Sequence, residues 1–269
     1  MKMEWTQEAE AALKKVPFFV RKKVRSRVEK ETMESGKQKI TLTEVKAAQA
    51  RFLSTMESEI KGYNIDTCFG QAKCPNRLGD SKSLIRKIED LFIKSDLLSF
   101  LKSQVEGPLK FHHEFRMTIA DCPNACSQPQ IKDIGIIGSR TPFVTNEDCD
   151  NCGICVETCK EHAIKLAENS QPVIDCEKCL HCGQCISLCP THTIAEANIG
   201  FRVLMAGKLG RHPRLARELS GILSENDVID IISESIEFYK NNSTGGRRFS
   251  HIFTDTEFER LENRYARKC

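Results

Sequence analysis

Tryptophan occurs once in these 269 residues and tyrosine three times, and aromatic residues together make up 7%. A surface that binds nucleic acid by base stacking asks for more than that, and a net charge of +3 is too slight to attract a polyanion by itself. No apolar stretch approaches the ~18–20 residues that span a bilayer, and the first residues lack the apolar core of a signal peptide. The expectation is a cytoplasmic protein in a reducing setting, with no membrane and no nucleic acid. Cysteine, by contrast, is abundant, with fourteen residues. Grouped thiols in a reducing compartment mark metal sites far more often than disulfides. With 40% hydrophobic and 29% charged residues, the chain has the composition of a globular protein, long enough for one large domain and one or two small modules.

Twelve of the cysteines fall into three clusters. Cys149, Cys152, Cys155 and Cys159 read C-x2-C-x2-C-x3-C, and Cys179, Cys182, Cys185 and Cys189, followed by Pro190, repeat it. Aligning Cys149–Ile164 on Cys179–Ile194 superposes all four cysteines, Gly153/Gly183, His162/His192 and Ile164/Ile194 at an offset of 30 residues. Such spacing lets three thiolates of one loop cap three irons of a cubane while the fourth comes from the other repeat. The expected ligand sets are therefore Cys149, Cys152, Cys155 and Cys189 for one [4Fe-4S] cluster, and Cys179, Cys182, Cys185 and Cys159 for the other. Zinc usually takes two separated C-x2-C pairs rather than a triple run. Cys176 stands three before Cys179 and blurs the register, but the offset and the closing Cys-Pro favour Cys179 as first ligand. Lys160 takes the place of the proline expected after the fourth cysteine. His162 and His192 read as packing or surface residues, and Cys269 as a free, exposed thiol. The duplication resembles the bacterial two-cluster ferredoxin module over residues 141–197.

Upstream, Cys68 and Cys74 (C-x5-C) are followed by Cys122 and Cys126 (C-x3-C). Taken alone, four cysteines on two loops fit zinc, a cubane, or a cubane joined to another cofactor. Thr118–Gly138 reads TIADCPNACSQPQIKDIGIIG, and in the preceding LKFHHEFRMTI the residues Phe111, Phe115, Met117 and Ile119 alternate in part of a strand pattern. This resembles the second-half repeat of the siroheme sulfite and nitrite reductases. The resemblance implies that Cys68, Cys74, Cys122 and Cys126 hold a third [4Fe-4S] cluster, with Cys126 bridging to siroheme iron. It continues at Gly200–Leu215 (GFRVLMAGKLGRHPRL), which looks like the family's strand and Gly-rich turn against siroheme. Gly245-Gly246-Arg247-Arg248-Phe249 is similar to its closing Gly-x-x-Phe turn. The implied arrangement is a ferredoxin inserted in the reductase repeat, as in the dissimilatory sulfite reductases. Gly207, Lys208, Arg211 and Arg214 would then face the tetrapyrrole carboxylates, and a solvated surface loop is the other reading of those basic residues. The family holds its oxyanion with paired basic residues in the strand before C-P-N-x-C. The matching positions here are Arg116 and Glu114, and a carboxylate at Glu114 opposes an anion; Lys110 and His112 are the compensating candidates. Cys126, Arg116, Lys110 and His112 are thus the implied catalytic set. The family's preceding half-domain has no counterpart in these residues.

Residues 4–53 predict about three helices: Thr6 as N-cap, Pro17 opening a second helix with Val20, Val24 and Val28 in a stripe, Gly36 ending it, and a Thr41-x-x-Glu44 capping box. This resembles the C-terminal helical domain of a light-independent protochlorophyllide reductase subunit. The basic run Arg21, Lys22, Lys23, Arg25 and Arg27 is interrupted by acids and reads as a solvated face. Helices are expected over 81–105 and 219–239, the latter broken near 224–227, and strands near 110–119, 132–137 and 201–206.

The fold expected is α+β, an α/β-like siroheme reductase half-repeat (58–140 and 198–269) with the inserted ferredoxin (141–197) and an all-α N-terminal domain (1–57). The function expected is reduction of sulfite or nitrite at siroheme, fed by a ferredoxin or similar donor through three [4Fe-4S] clusters, in a homodimer or with a companion subunit. The alternatives are an electron-transfer subunit without its own substrate site, or a tetrapyrrole-binding or maturation protein.

Overall fold

Thr6 starts the first helix as the sequence predicts: its hydroxyl accepts from the Ala9 N–H at 3.3 Å, and α1 runs Gln7–Lys14 with Glu8 and Glu10 in its first turn. The structure, a computed structural model, describes residues 3–68 and 74–267, without the side chains of 53–57; Cys269 lies outside the described residues. Two compact units emerge, Met1–Ile60 with Glu106–His112, and Lys61–Val105 with His113–Cys269.

In the first unit α1 is followed by α2 (Phe18–Glu34), opened by Pro17 at φ −51°, and α3 (Leu42–Glu59). Ala9, Val28, Ile40, Val45 and Ala48 form its core. The unit is not purely helical: β1 (Glu4–Trp5) pairs in parallel with β2 (Lys39–Ile40). That two-residue ladder is too short for any periodicity to announce. Thr41 N–H donates to Glu44 Oε2 at 2.9 Å and Lys37 Nζ to Glu44 Oε1 at 2.7 Å. Those bonds, Lys37 first, hold the Glu44 carboxyl down at about 2. Much of the basic run is paired at home. Arg25 bonds Glu10 and Glu29 and lies over the Trp5 ring, and Arg27 bonds Glu31.

The second unit is built on a five-stranded sheet in the order β3 (Tyr63–Thr67), β4 (Phe115–Ala120), β5 (Ile134–Val144), β8 (Ile194–Met205), β9 (Arg217–Glu218). The first three strands are parallel and the last two join antiparallel. Helices α4 (Lys82–Ser95) and α5 (Leu97–Gln104) lie between β3 and β4 in the chain. The single helix expected over 81–105 is broken because Asp96 adopts φ +46° and caps the second helix through Ser99 N–H. After the sheet come α8 (Glu225–Asn242), α9 (Phe249–Ile252) and α10 (Asp255–Tyr265). Ser224 and Asp227 are not a break within a helix but the capping box that starts α8.

Phe115, Met117, Ile119, Ile134, Ile136 and Val203 share one sheet face by register and are buried. The Phe115 ring meets Phe92 of α4 at 5.7 Å, Tyr239 of α8 at 5.5 Å and Phe249 of α9 at 5.1 Å. Each such burial contributes about 1.5–3 kcal/mol, so this face fixes where α4, α8 and α9 sit. The three strand expectations shift. The first strand begins only at Phe115, because Phe111–His113 forms a 3-10 turn and Glu114 is drawn aside. The other two lengthen to 134–144 and 194–205 because they pair with each other, with a register shift at Thr141/Pro142. Between their far ends lie two repeats, with α6 (Ile154–Thr158) and β6 (Ile164–Leu166), then β7 (Pro172–Ile174) and α7 (Gln184–Leu188). Among the described residues no helix is long and apolar enough to cross a membrane.

Candidate iron–sulfur centre

Both upstream cysteine loops leave the same edge of the sheet. β3 and β4 run parallel in register from Tyr63↔Phe115 to Thr67↔Ile119, so Cys68 and the loop from Asp121 onward emerge at adjacent carboxyl ends, the edge where open α/β sheets bind ligands. Cys68 N–H donates to Ile119 O at 3.1 Å and ties one loop to the other strand. In the second loop Ala125, at φ +52°, donates to Cys122 O at 3.1 Å, doubling the chain back so that Cys126 returns towards Cys122. Cys122 is buried and Cys126 exposed. Burial, with the nearby charges of Cys74 and Cys126 adding to it, pushes the Cys68 and Cys122 thiols up. Crowded thiols of this kind ionise together only when a metal takes up the charge, so the four suit a cluster.

The duplication is present in the backbone. Left-handed residues recur in pairs at the 30-residue offset, Asn151/His181, Gly153/Gly183 and His162/His192. Cys149, Cys152, Cys155 and Cys189 line one recess. Cys159 stands instead with the other loop: burial first, then the charges of Cys182 and Cys159, push the Cys179 thiol up, and similar crowding takes Cys185 to about 12. Amide N–H groups point at three of the sulfurs, Ala163 to Cys159 at 3.3 Å, His181 to Cys179 at 3.4 Å and Ile194 to Cys189 at 3.4 Å. Bonds of this type tune cluster potentials. For Cys189 burial works upward, but the Ile194 N–H and the Thr191 hydroxyl outweigh it and lower the thiol. Cys176, His162 and His192 are exposed. Among the described residues no three His, Cys, Asp or Glu side chains close on a single metal ion; a cubane needs thiolates that stand apart, each on its own iron.

The remaining sequence candidates belong to several elements. Lys110 and His112 are exposed and belong to the first unit. Arg116 lies at the amino end of β4, its N–H donating to Asp133 Oδ2 at 2.9 Å. Glu114 is buried and accepts from Lys61 N–H at 3.0 Å; burial raises its carboxyl while the Lys61 amide opposes this. It is tied to the backbone at the amino end of β4, the strand end opposite the Cys122 loop. In the Gly-rich turn, Gly207 packs against Gln130 O and Lys132 O with no room for a Cβ. Arg214 donates to Ala206 O at 2.9 Å and Ser250 O at 2.6 Å, so it braces the turn. Arg211 is exposed and Lys208 half-buried.

What sequence reasoning misses is Asp133. This fully buried carboxylate accepts from Arg116 N–H and Ser250 N–H (3.2 Å) and pairs with Arg248 at 3.5 Å, while its backbone oxygen accepts from Ala206 N–H at 2.7 Å. Burial raises it and Arg248 opposes that rise. It draws the two basic turns together, and His251, lowered by burial and then by Lys208, Arg248 and Arg247, marks their meeting point. Lys208, Arg247 and Arg248 form a cationic set that suits the carboxylates of a tetrapyrrole, with His251 beside them held towards its neutral form. The Gly-Gly-Arg-Arg-Phe motif is visible in the sequence, but an aspartate in a loop carries no signal of its burial.

The family described as the nitrite and sulphite reductase 4Fe-4S domain matches residues 60–267, and the proto-chlorophyllide reductase 57 kD subunit matches residues 5–49. The coenzyme F420-dependent sulfite reductase of Methanocaldococcus jannaschii is 39% identical over 64% of this chain and 25% of its own length. One subunit of the anaerobic sulfite reductase of Salmonella typhimurium is 31% identical over 39% of this chain and 26% of its own. The chain thus spans about a quarter of the length of these curated relatives. A crystal structure of dissimilatory sulfite reductase I superposes with a TM-score of 0.48 at 15% identity, over 74% of this chain and 51% of that one. With its family match covering most of the second unit, including all three cysteine clusters, the chain belongs to the nitrite and sulphite reductase 4Fe-4S family of iron–sulfur oxidoreductases.

Proposed function

We propose that this chain is the siroheme-binding subunit of a sulfite- or nitrite-type reductase, with a two-cluster ferredoxin module (141–197) inserted in the reductase domain (58–140 and 198–269), which follows an N-terminal helical domain (1–57) in the chain. The observation that carries the reading is the emergence of the Cys68 and Cys122–Cys126 loops from adjacent parallel strands. The three cysteine sets suit three [4Fe-4S] clusters, Cys126 is the candidate bridge, and the Lys208, Arg247 and Arg248 set is the candidate seat for siroheme carboxylates. When bound, these groups supply one-electron transfer and an iron centre at which a small oxyanion is reduced. The protein's part is to hold the thiolates, direct amides at sulfur, and offer cations to the anion. An external donor of the ferredoxin kind delivers the electrons. The family affiliation and the sulfite reductases among the relatives support sulfite or nitrite as substrate, and the Salmonella relative's place as one subunit of its enzyme supports a companion chain or a second copy here.

Anaerobically purified protein tests this. Expected are about twelve iron and twelve acid-labile sulfide per chain in clusters, together with siroheme Soret and α bands. Values near eight would remove the Cys68/Cys74/Cys122/Cys126 cluster, and a broad iron–sulfur shoulder alone would make the chain an electron carrier. A stable siroheme-loaded monomer by light scattering would contradict the assembly.

A further inference from the structure

The three cysteine sets do not stand in equivalent relation to one another. We infer that strand β5 strings them in a line with the Cys159/Cys179/Cys182/Cys185 set in the middle, and that Arg140 is the positioning residue that holds this middle set against the Cys68/Cys74/Cys122/Cys126 set. The inference rests on the cluster reading proposed above.

Three points along one strand carry it. Gly138 lies against the loop of the sheet-edge set: a Cβ there would meet Asp121 O at 2.8 Å, one residue before Cys122. Two residues on, about 7 Å along the strand, Arg140 takes up the second repeat. Its N–H donates to His181 O at 2.7 Å, and it forms a parallel bridge with Cys182. The contact is close because Gly183 has φ +68° and no side chain, and a Cβ would meet Arg140 Cδ at 2.8 Å. The guanidinium reaches on to Glu196 and to Ser187 Oγ, on the strand and helix that flank the Cys189 turn. Cys122 and Cys182 line one cavity of about 440 Å³, with Arg77 and Arg140 also in its wall. The third point lies beyond the register shift. Thr145 N–H donates to Thr193 O at 2.8 Å, and Thr193 Oγ1 to Asp148 O at 3.1 Å, next to Cys149. Thr145 is five residues past Arg140, on the order of 15 Å by strand rise. Cys149, Cys152, Cys155 and Cys189 line their own recess there and take no part in the cavity with Cys122.

An electron moving along this line leaves the outer set's cluster, is taken up by the middle one, and passes from it to the sheet-edge one. Each hand-over oxidises one cluster and reduces the next by one electron, with no bond or proton exchanged. Of the two repeat clusters, the middle one is then the close magnetic neighbour of the sheet-edge set.

Pulsed EPR on the fully reduced, cluster-replete full chain reads that proximity as faster spin relaxation of the sheet-edge signal. The expected result is that Cys182→Ala, which removes the middle cluster, abolishes the enhancement, and Cys152→Ala, which removes the outer one, leaves it intact. In Arg140→Met, with iron content unchanged, the enhancement should weaken several-fold, and Arg140→Lys should recover part of it. Loss of the enhancement in Cys152→Ala, its survival in Cys182→Ala, or an unchanged Arg140→Met would overturn the inference while all three signals remain. Absence of a third signal in the unmodified chain, with iron near eight, would overturn the line and the cluster reading together.

Discussion

The duplicated cysteine segment and the sheet-edge cysteines gather their thiols by opposite means. In the repeats, three cysteines of each set fall within seven residues, and paired left-handed residues at fixed offset shape each loop. At the sheet edge, Cys68 and Cys122 are brought together only because β3 and β4 are parallel neighbours. The first construction depends on local backbone and the second on the whole sheet and whatever locks it. The difference teaches where each should break.

The largest effect should come from Asp133→Ala. It leaves Arg248 without its buried partner and removes the acceptor of the Arg116 and Ser250 amides, and losing one member of a buried pair costs about 3–5 kcal/mol. Urea denaturation should show that loss. If the comparison holds, iron should fall from about twelve towards about eight, with the repeats keeping their share. A smaller loss, about 1–3 kcal/mol, is expected for Glu114→Lys, since it removes the acceptor of the Lys61 N–H and introduces a charge in its place. Titration of sulfite should then show no gain in affinity, in contrast to what an anion-facing carboxylate would give.

Within the repeats the comparison sharpens at two matched glycines. Gly153 and Gly183 share the left-handed conformation, but only Gly183 has a neighbour, Arg140, where a Cβ would go. Both alanine variants should lose about 1–2 kcal/mol from the φ alone; Gly183→Ala should lose more, with selective loss of one cluster's EPR signal. The smallest effects belong to the first unit. Glu44→Ala should lower its stability by about 1 kcal/mol without touching iron content. Because the Glu44 carboxyl is held at about 2 against an ordinary 4.5, its contribution is complete above pH 4.5 and is lost as the pH falls through 2. Circular dichroism followed through acid titration would register it, and the Glu44→Ala protein should lack that component.

Legibility follows the same division. The duplication of the repeats is readable because offset and spacing are sequence properties, and the cap at Thr6 lies within a few residues of what it caps. The parallel ladder of β1 and β2, two residues against two across more than thirty of chain, has no periodic trace. Glu114 reads in the sequence by its place before Cys122 alone, and only the structure shows its bond to the distant Lys61 amide. Asp133 is invisible there for the related reason that burial of a polar group is decided by what folds over it.

The antiparallel pairing of β5 with β8 has a consequence for how this architecture can vary. Two strands paired in this sense are what a simple hairpin would contain, so everything between Val144 and Ile194 occupies the place of a turn. Lengthening, shortening or exchanging that segment leaves strand order untouched, and loop closure changes only slowly with length. The register shift at Thr141/Pro142 adds a pivot: a strand slipped by one residue turns its side chains to the other face. A single insertion or deletion there would re-aim the carried segment relative to the sheet without altering a cysteine. In this fold, wiring can be revised by mechanical adjustment of a stem.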